Sequence, residues 1–142
     1  MPVVSRYLEQ LARVQFYKSE HGMHFSDESA FYYSGRVTSI LPILHAVTVL
    51  AIVQGVASAF GVPELVGWGA RALLIAPFFA AAIWLTSNTA YLQLFRTRVR
   101  SEPSVVEAQR RGETKYFVRA SWIFGIVSFA LLAVEQATRH GT

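Results

Sequence analysis

The sequence predicts an all-α fold: a helical membrane protein with three transmembrane helices and an N-terminal amphipathic interfacial helix. Three observations predict it. Hydrophobic residues make up 53% of the chain and charged residues only 15%, well short of the roughly one quarter charged that soluble domains carry. Two stretches contain no charge at all: 27 residues between Arg36 and Glu64, and 24 between Arg71 and Arg96. Each is longer than the ~20 apolar residues that cross about 30 Å of hydrocarbon. The basic residues, finally, are segregated along the chain. At 142 residues the chain is one unit, a single membrane domain over residues 1–142.

Residues 2–18 lack both the apolar h-region and the small-residue cleavage site of a removable leader, so they read as mature protein. Val4, Tyr7, Leu8, Leu11 and Val14 follow helical spacing on one face, and Arg6, Glu9, Gln10 and Arg13 lie on the other. This amphipathic helix could rest on lipid headgroups, pack on the protein's own inner loop, or dock a partner helix; an interfacial anchor is the commonest use. Span one is expected over residues 37–61. Pro42 falls in its first turns, where a missing N–H costs little. Span two is expected over 72–95, kinked at Pro77.

Residues 96–115 read as a polar cytoplasmic loop with a short helix inside it. Pro103 stops span two and Gly112 ends the short helix. Ser104 and Glu107 have capping-box spacing, and Glu107 and Arg111 form an i,i+4 pair. Span three is the weakest, because only 15 residues from Ala120 to Val134 are uncharged, about 22 Å of helix. It reaches across as residues 116–137 if Arg119 and Glu135 extend to the two interfaces, with Glu135 pairing with Arg139.

The positive-inside rule tests all three spans together. Arg6, Arg13, Lys18 and Arg36 precede span one, and Arg96, Arg98, Arg100, Arg110, Arg111, Lys115 and Arg119 fall between spans two and three. Only Arg71 and Arg139 lie elsewhere. This places the N-terminus in the cytoplasm of a cell with a bacterial-type inner (plasma) membrane and the C-terminus outside. Phe31, Tyr32, Tyr33, Tyr91, Phe95, Tyr116, Phe117 and Trp122 fall near the predicted inner interface, as aromatic belts do. The pI of 9.8 therefore reflects topology and the lipid bilayer as a partner. No nucleic-acid motif accompanies it.

The absence of cysteine excludes disulfides, thiolate nucleophiles, Cys-type zinc sites and iron–sulfur clusters. His21 and His24, flanked by Glu20, Asp27 and Glu28, are the most metal-like group, although a solvated linker is the plainer reading. Inside the spans, His45 and Asn88 count to a similar depth, roughly 10 to 12 Å from the inner boundary at 1.5 Å per residue. With Thr86, Ser87, Thr89 and Ser121 they predict a polar intramembrane layer in which His45 bonds the Thr86–Thr89 segment. Its use is either a structural clasp or a proton or solute site; intramembrane carboxylates other than Glu135 are lacking, which favours the clasp.

Ala51, Gly55 and Ala59 form a small-xxx-small packing ridge with Gln54 and Ser58 beside it. The Gln54 amide, near mid-membrane, requires a partner that a second chain could supply. Arg96, Arg98 and Arg100 form a juxtamembrane cluster able to attract anionic lipid. No catalytic constellation and no cofactor motif is present, so an enzyme is not expected. The expected function is an accessory or assembly subunit of a larger membrane complex, as in secretion, transfer or immunity, meeting other membrane subunits or itself. The alternative is a homo-oligomeric channel or small transporter. A metal-dependent membrane enzyme would require His21 and His24 to converge with further ligands.

Overall fold

A computed structural model describes residues 2–20, 34–62 and 67–141, apart from the side chains of Thr89 and Leu92. Among the described residues the secondary structure is helical throughout. The elements are α1 (Pro2–Glu20), α2 (Ile40–Ala59), α3 (Trp68–Ser87), α4 (Thr89–Arg100) and α5 (Ser104–His140). A helical turn from Ser34 leads into α2, giving a predominantly apolar segment of 26 residues over Ser34–Ala59. That segment, α3 and α5 are long and apolar enough to cross a membrane.

Each boundary has a local cause. Pro2 opens α1, where a missing N–H is harmless. Gly61, at φ 70°, ends α2; its N–H reaches the Ser58 carbonyl at 3.0 Å and the Val62 N–H reaches that of Ala57 at 2.9 Å, the paired bonds of a glycine C-cap. α3 stops at Asn88, whose φ −95° and ψ 28° lie outside the helical region. Pro103 separates α4 from α5.

Three expectations change here. Residues 96–115 are largely helical, divided between the end of α4 and the start of α5. Gly112 does not end a helix: no glycine but Gly61 has positive φ among the described residues, and α5 runs on for 37 residues, about 55 Å. Ser104 begins α5 as a helical residue without a side-chain cap bond, so the capping box does not form, whereas the Glu107–Arg111 pair does, at 3.0 Å.

Contacts fix the directions. His45 meets Ser121 and Gln54 meets Glu135, so α2 and α5 run parallel. Gln54 also meets Arg71, so α3 returns antiparallel. α1 enters the basic end of this bundle antiparallel to α2 and α5, with Tyr7 beside His45 and Gln10 beside Thr114. The core gathers around α1. Ala12 and Phe16 pack on Phe95 and Val99 of α4, and Leu11 and Val14 pack with Leu41, Ala81 and Leu85.

Six consecutive residues of α1, Leu11 to Phe16, are each at most 2% exposed, so every face of the helix is enclosed over that stretch. The middle of the amphipathic helix is thus enclosed by the bundle, while residues 2–6 stay exposed. Of its polar face, Arg13 is covered because Glu102 at the α4–α5 corner meets it, while Arg6 stays exposed.

Candidate functional site

Buried polar groups must find partners, because desolvating them unpaired is costly. Following those partners identifies four clusters. At the centre of the first is His45 of α2, whose Nδ1 is 2.7 Å from the Tyr7 hydroxyl and whose Nε2 is 2.7 Å from Ser121 Oγ. The Ser121 hydroxyl donates to the Phe117 carbonyl at 2.7 Å. The tautomer that serves all three groups carries its proton on Nε2: Tyr7 donates to Nδ1, and Nε2–H donates to Ser121. Burial pushes the Tyr7 phenol well above its ordinary pKa, which keeps it a donor. The rings of Tyr7, Phe78 and Phe117 surround the imidazole, with centroids 5.4, 6.5 and 5.5 Å away.

The second cluster bridges the α3–α4 break. Gln15 Nε2 donates to the Leu85 carbonyl at 2.9 Å, an acceptor left over where α3 ends, and Asn88 Nδ2 donates to Gln15 Oε1 at 3.3 Å. Gly35 fits directly against this group: a Cβ there would collide with the Leu85 carbonyl oxygen. A third cluster fastens α1 to the α4–α5 corner. Arg13, 2% exposed, meets Glu102 at 3.1 Å and Glu9 at 3.3 Å; Arg110 meets Glu9 at 3.2 Å. The Arg13 guanidinium also sits over the Phe95 ring at 5.3 Å. Burial opposes the Arg13 charge, but the bond and charge of Glu102 more than restore it, so its pKa is raised. Arg13 in turn holds the Glu102 carboxyl below the usual carboxylate range.

The fourth cluster is at the opposite end of the bundle. Gln54 Nε2 donates to Glu135 at 3.3 Å, Arg71 donates to Gln54 Oε1 at 3.4 Å, and Arg139 pairs with Glu135 at 2.8 Å. These residues line a half-open cleft of about 450 Å³ together with Leu50, Trp68 and Leu132.

The expected polar layer is therefore divided. His45 and Ser121 come together, but among the described side chains His45 does not bond Thr86, Ser87 or Asn88. Asn88 lies with Gln15 beside Gly35, ten residues before His45, or about 15 Å along the helix. The depth count took Phe95 as the end of span two, whereas the helix breaks at Asn88. Thr86 and Ser87 turn their hydroxyls back to the Ile83 carbonyl at 2.7 and 3.2 Å, as such residues do within apolar helices. Thr89 lies outside the described side chains. Phe95 packs in the core instead of marking an interface.

The ridge is also placed differently. Gly55, Ser58 and Ala59 are exposed and Ala51 is half-buried, and a Cβ on Gly55 would meet nothing within 4 Å. Gln54 finds its partners, Glu135 and Arg71, within its own chain. Close helix packing occurs instead on α5, where Thr114, Ser121, Gly125 and Ser128 are buried and a Cβ on Gly125 would approach Leu44 to 2.6 Å. Arg98 and Arg100 are exposed on α4 and Arg96 is half-buried; the helix turns Arg98 away from the other two. His21 and His24 lie outside the described residues. Among the described residues no three His, Asp or Glu side chains converge as metal ligands.

Sequence reasoning missed Arg13 and Gln15 as buried anchors and Gly35 as a contact point. The i,i+4 spacing of Glu9 and Arg13 was visible, but Glu102 is 89 residues further on and leaves no local signature. Compared with known proteins, the chain matches no family model, no curated protein and no solved structure.

Proposed function

We propose that the chain is a small integral membrane subunit that accompanies a larger membrane complex. The Ser34–Ala59 segment, α3 and the second half of α5 cross a plasma membrane of bacterial inner-membrane type, with the N-terminus in the cytoplasm and the C-terminus outside. Insertion is supported by how little of the apolar helices the protein itself covers: 22%, 17% and 17% of their most apolar windows is buried. Ile52, Val56, Leu73, Ile83, Ile123, Phe129 and Leu131 point outward, a surface suited to lipid. The first turns of α5, with Arg110, Arg111 and Lys115, extend the bundle into the cytoplasm with α1 and α4.

The observation that carries the subunit reading is the open ridge at Gly55. The buried polar side chains of the spans are largely occupied inside the chain, yet α2 keeps a small-residue face with room for another backbone. The conducting alternative draws no comparable support, since Thr86 and Ser87 bond their own helix instead of lining a path. Purification in mild detergent followed by native mass measurement tests the proposal. A stoichiometric foreign subunit that is lost in Gly55→Leu supports it; a bare monomer or a closed ring of identical chains overturns it.

A further inference from the structure

The cleft between Gln54, Arg71 and Glu135 has a use that packing does not explain. Arg71 is a cation on the side of the bundle from which basic residues are otherwise almost absent. It has no carboxylate within ion-pair distance among the described residues; it meets the neutral Gln54 amide at 3.4 Å and the face of Trp68 at 5.7 Å. Arg139 is paired with Glu135, which also accepts from Gln54. Among the described lining residues, two guanidiniums stand against one carboxylate, one formal positive charge in excess.

The lining is divided by polarity along the helices. Gln54, Gln136, Arg71 and Arg139 are at the outer rim, while Leu50 and Leu132 lie one turn further in, on the apolar side. A volume of about 450 Å³ is within the size range of small-ligand sites. We infer that this cleft binds the phosphodiester headgroup of an anionic phospholipid, with the phosphate on Arg71 and the start of an acyl chain over Leu50 and Leu132. A phosphodiester carries one negative charge, which matches the excess, and guanidinium forms its strongest polar contacts with phosphate and carboxylate oxygens. This assignment rests on the membrane reading above, which places the cleft at the outer interface.

The test uses the full chain purified in mild detergent and native mass spectrometry with equimolar phosphatidylglycerol and phosphatidylcholine of identical chains. Phosphatidylglycerol should be retained in preference by about five- to tenfold. Arg71→Gln should bring that ratio close to one, and Arg71→Lys should keep most of it. Leu132→Trp, which fills the apolar floor and leaves every charge in place, should lower retention of phosphatidylglycerol as well. Circular dichroism verifies that each variant is folded. An unchanged ratio in folded Arg71→Gln overturns the assignment, and so does displacement of the lipid by inorganic phosphate at equal concentration, which would make free phosphate the ligand. A helical, detergent-dependent chain without lipid preference removes the cleft assignment alone; a chain that stays monodisperse without detergent removes the membrane reading beneath it.

Discussion

Arg13 shows how far one residue can depart from the role its spacing suggests. On the helical wheel it occupies the polar face, yet Glu9, Glu102 and Phe95 enclose it. Removing one partner of a buried ion pair typically costs about 3–5 kcal/mol, because the other is left uncompensated. Arg13→Met should therefore lower the stability of the detergent-solubilised protein by that order, measured by denaturant titration of helical signal. Acid should produce a related effect. Glu102 is held below the pKa it has in the unfolded chain, so its stabilisation is complete at neutral pH and is lost as pH falls below the ordinary carboxylate range of about 4. The melting temperature should drop there in the parent chain, and Glu102→Gln should flatten that part of the profile. A parent curve unchanged by Glu102→Gln would show that Arg13 does not draw its stabilisation from this carboxylate.

Among the elements, three glycines separate by what lies opposite them. Gly35→Ala would push against a backbone oxygen at the end of α3 and should cost about 1–3 kcal/mol, the usual range for overpacking. Gly125→Leu should be at least as damaging, because Leu44 already occupies the space. Gly55→Leu should leave the fold stable, since nothing faces it. A melting series of the three variants checks the order, and a Gly55→Leu protein as unstable as Gly125→Leu would mean that the ridge packs internally. The three long apolar helices were legible in the sequence because lipid-length hydropathy needs no knowledge of neighbours. The break at Asn88 was not. Hydropathy runs without a charge to Phe95, and the end of α3 is satisfied by Gln15, 73 residues away in sequence from its Asn88 partner. Gly112 misled in the opposite sense: a glycine ends a helix only where the chain takes up a left-handed turn, and α5 passes through Gly112 without one.

For the whole molecule, the three crossings proposed above require the two ends to face opposite compartments. Reporter fusions should show the N-terminus inside and the C-terminus outside, and both ends in one compartment would contradict the number of crossings. The candidate site was legible in part. His45, Gln54 and Ser121 stood out because polar groups are conspicuous among apolar ones, while their actual partners depended on helix rotation and on where α1 entered. That entry also bears on how the protein is made. The arginine of α1 is anchored by a carboxylate 89 positions downstream, so during synthesis α1 must wait, with Arg13 and Gln15 still hydrated, until the corner carrying Glu102 has emerged. α1 is thus translated before α4 and α5 yet settles only with them, and a nascent chain stalled before that corner would present an unfinished α1 to the cell's quality-control proteases.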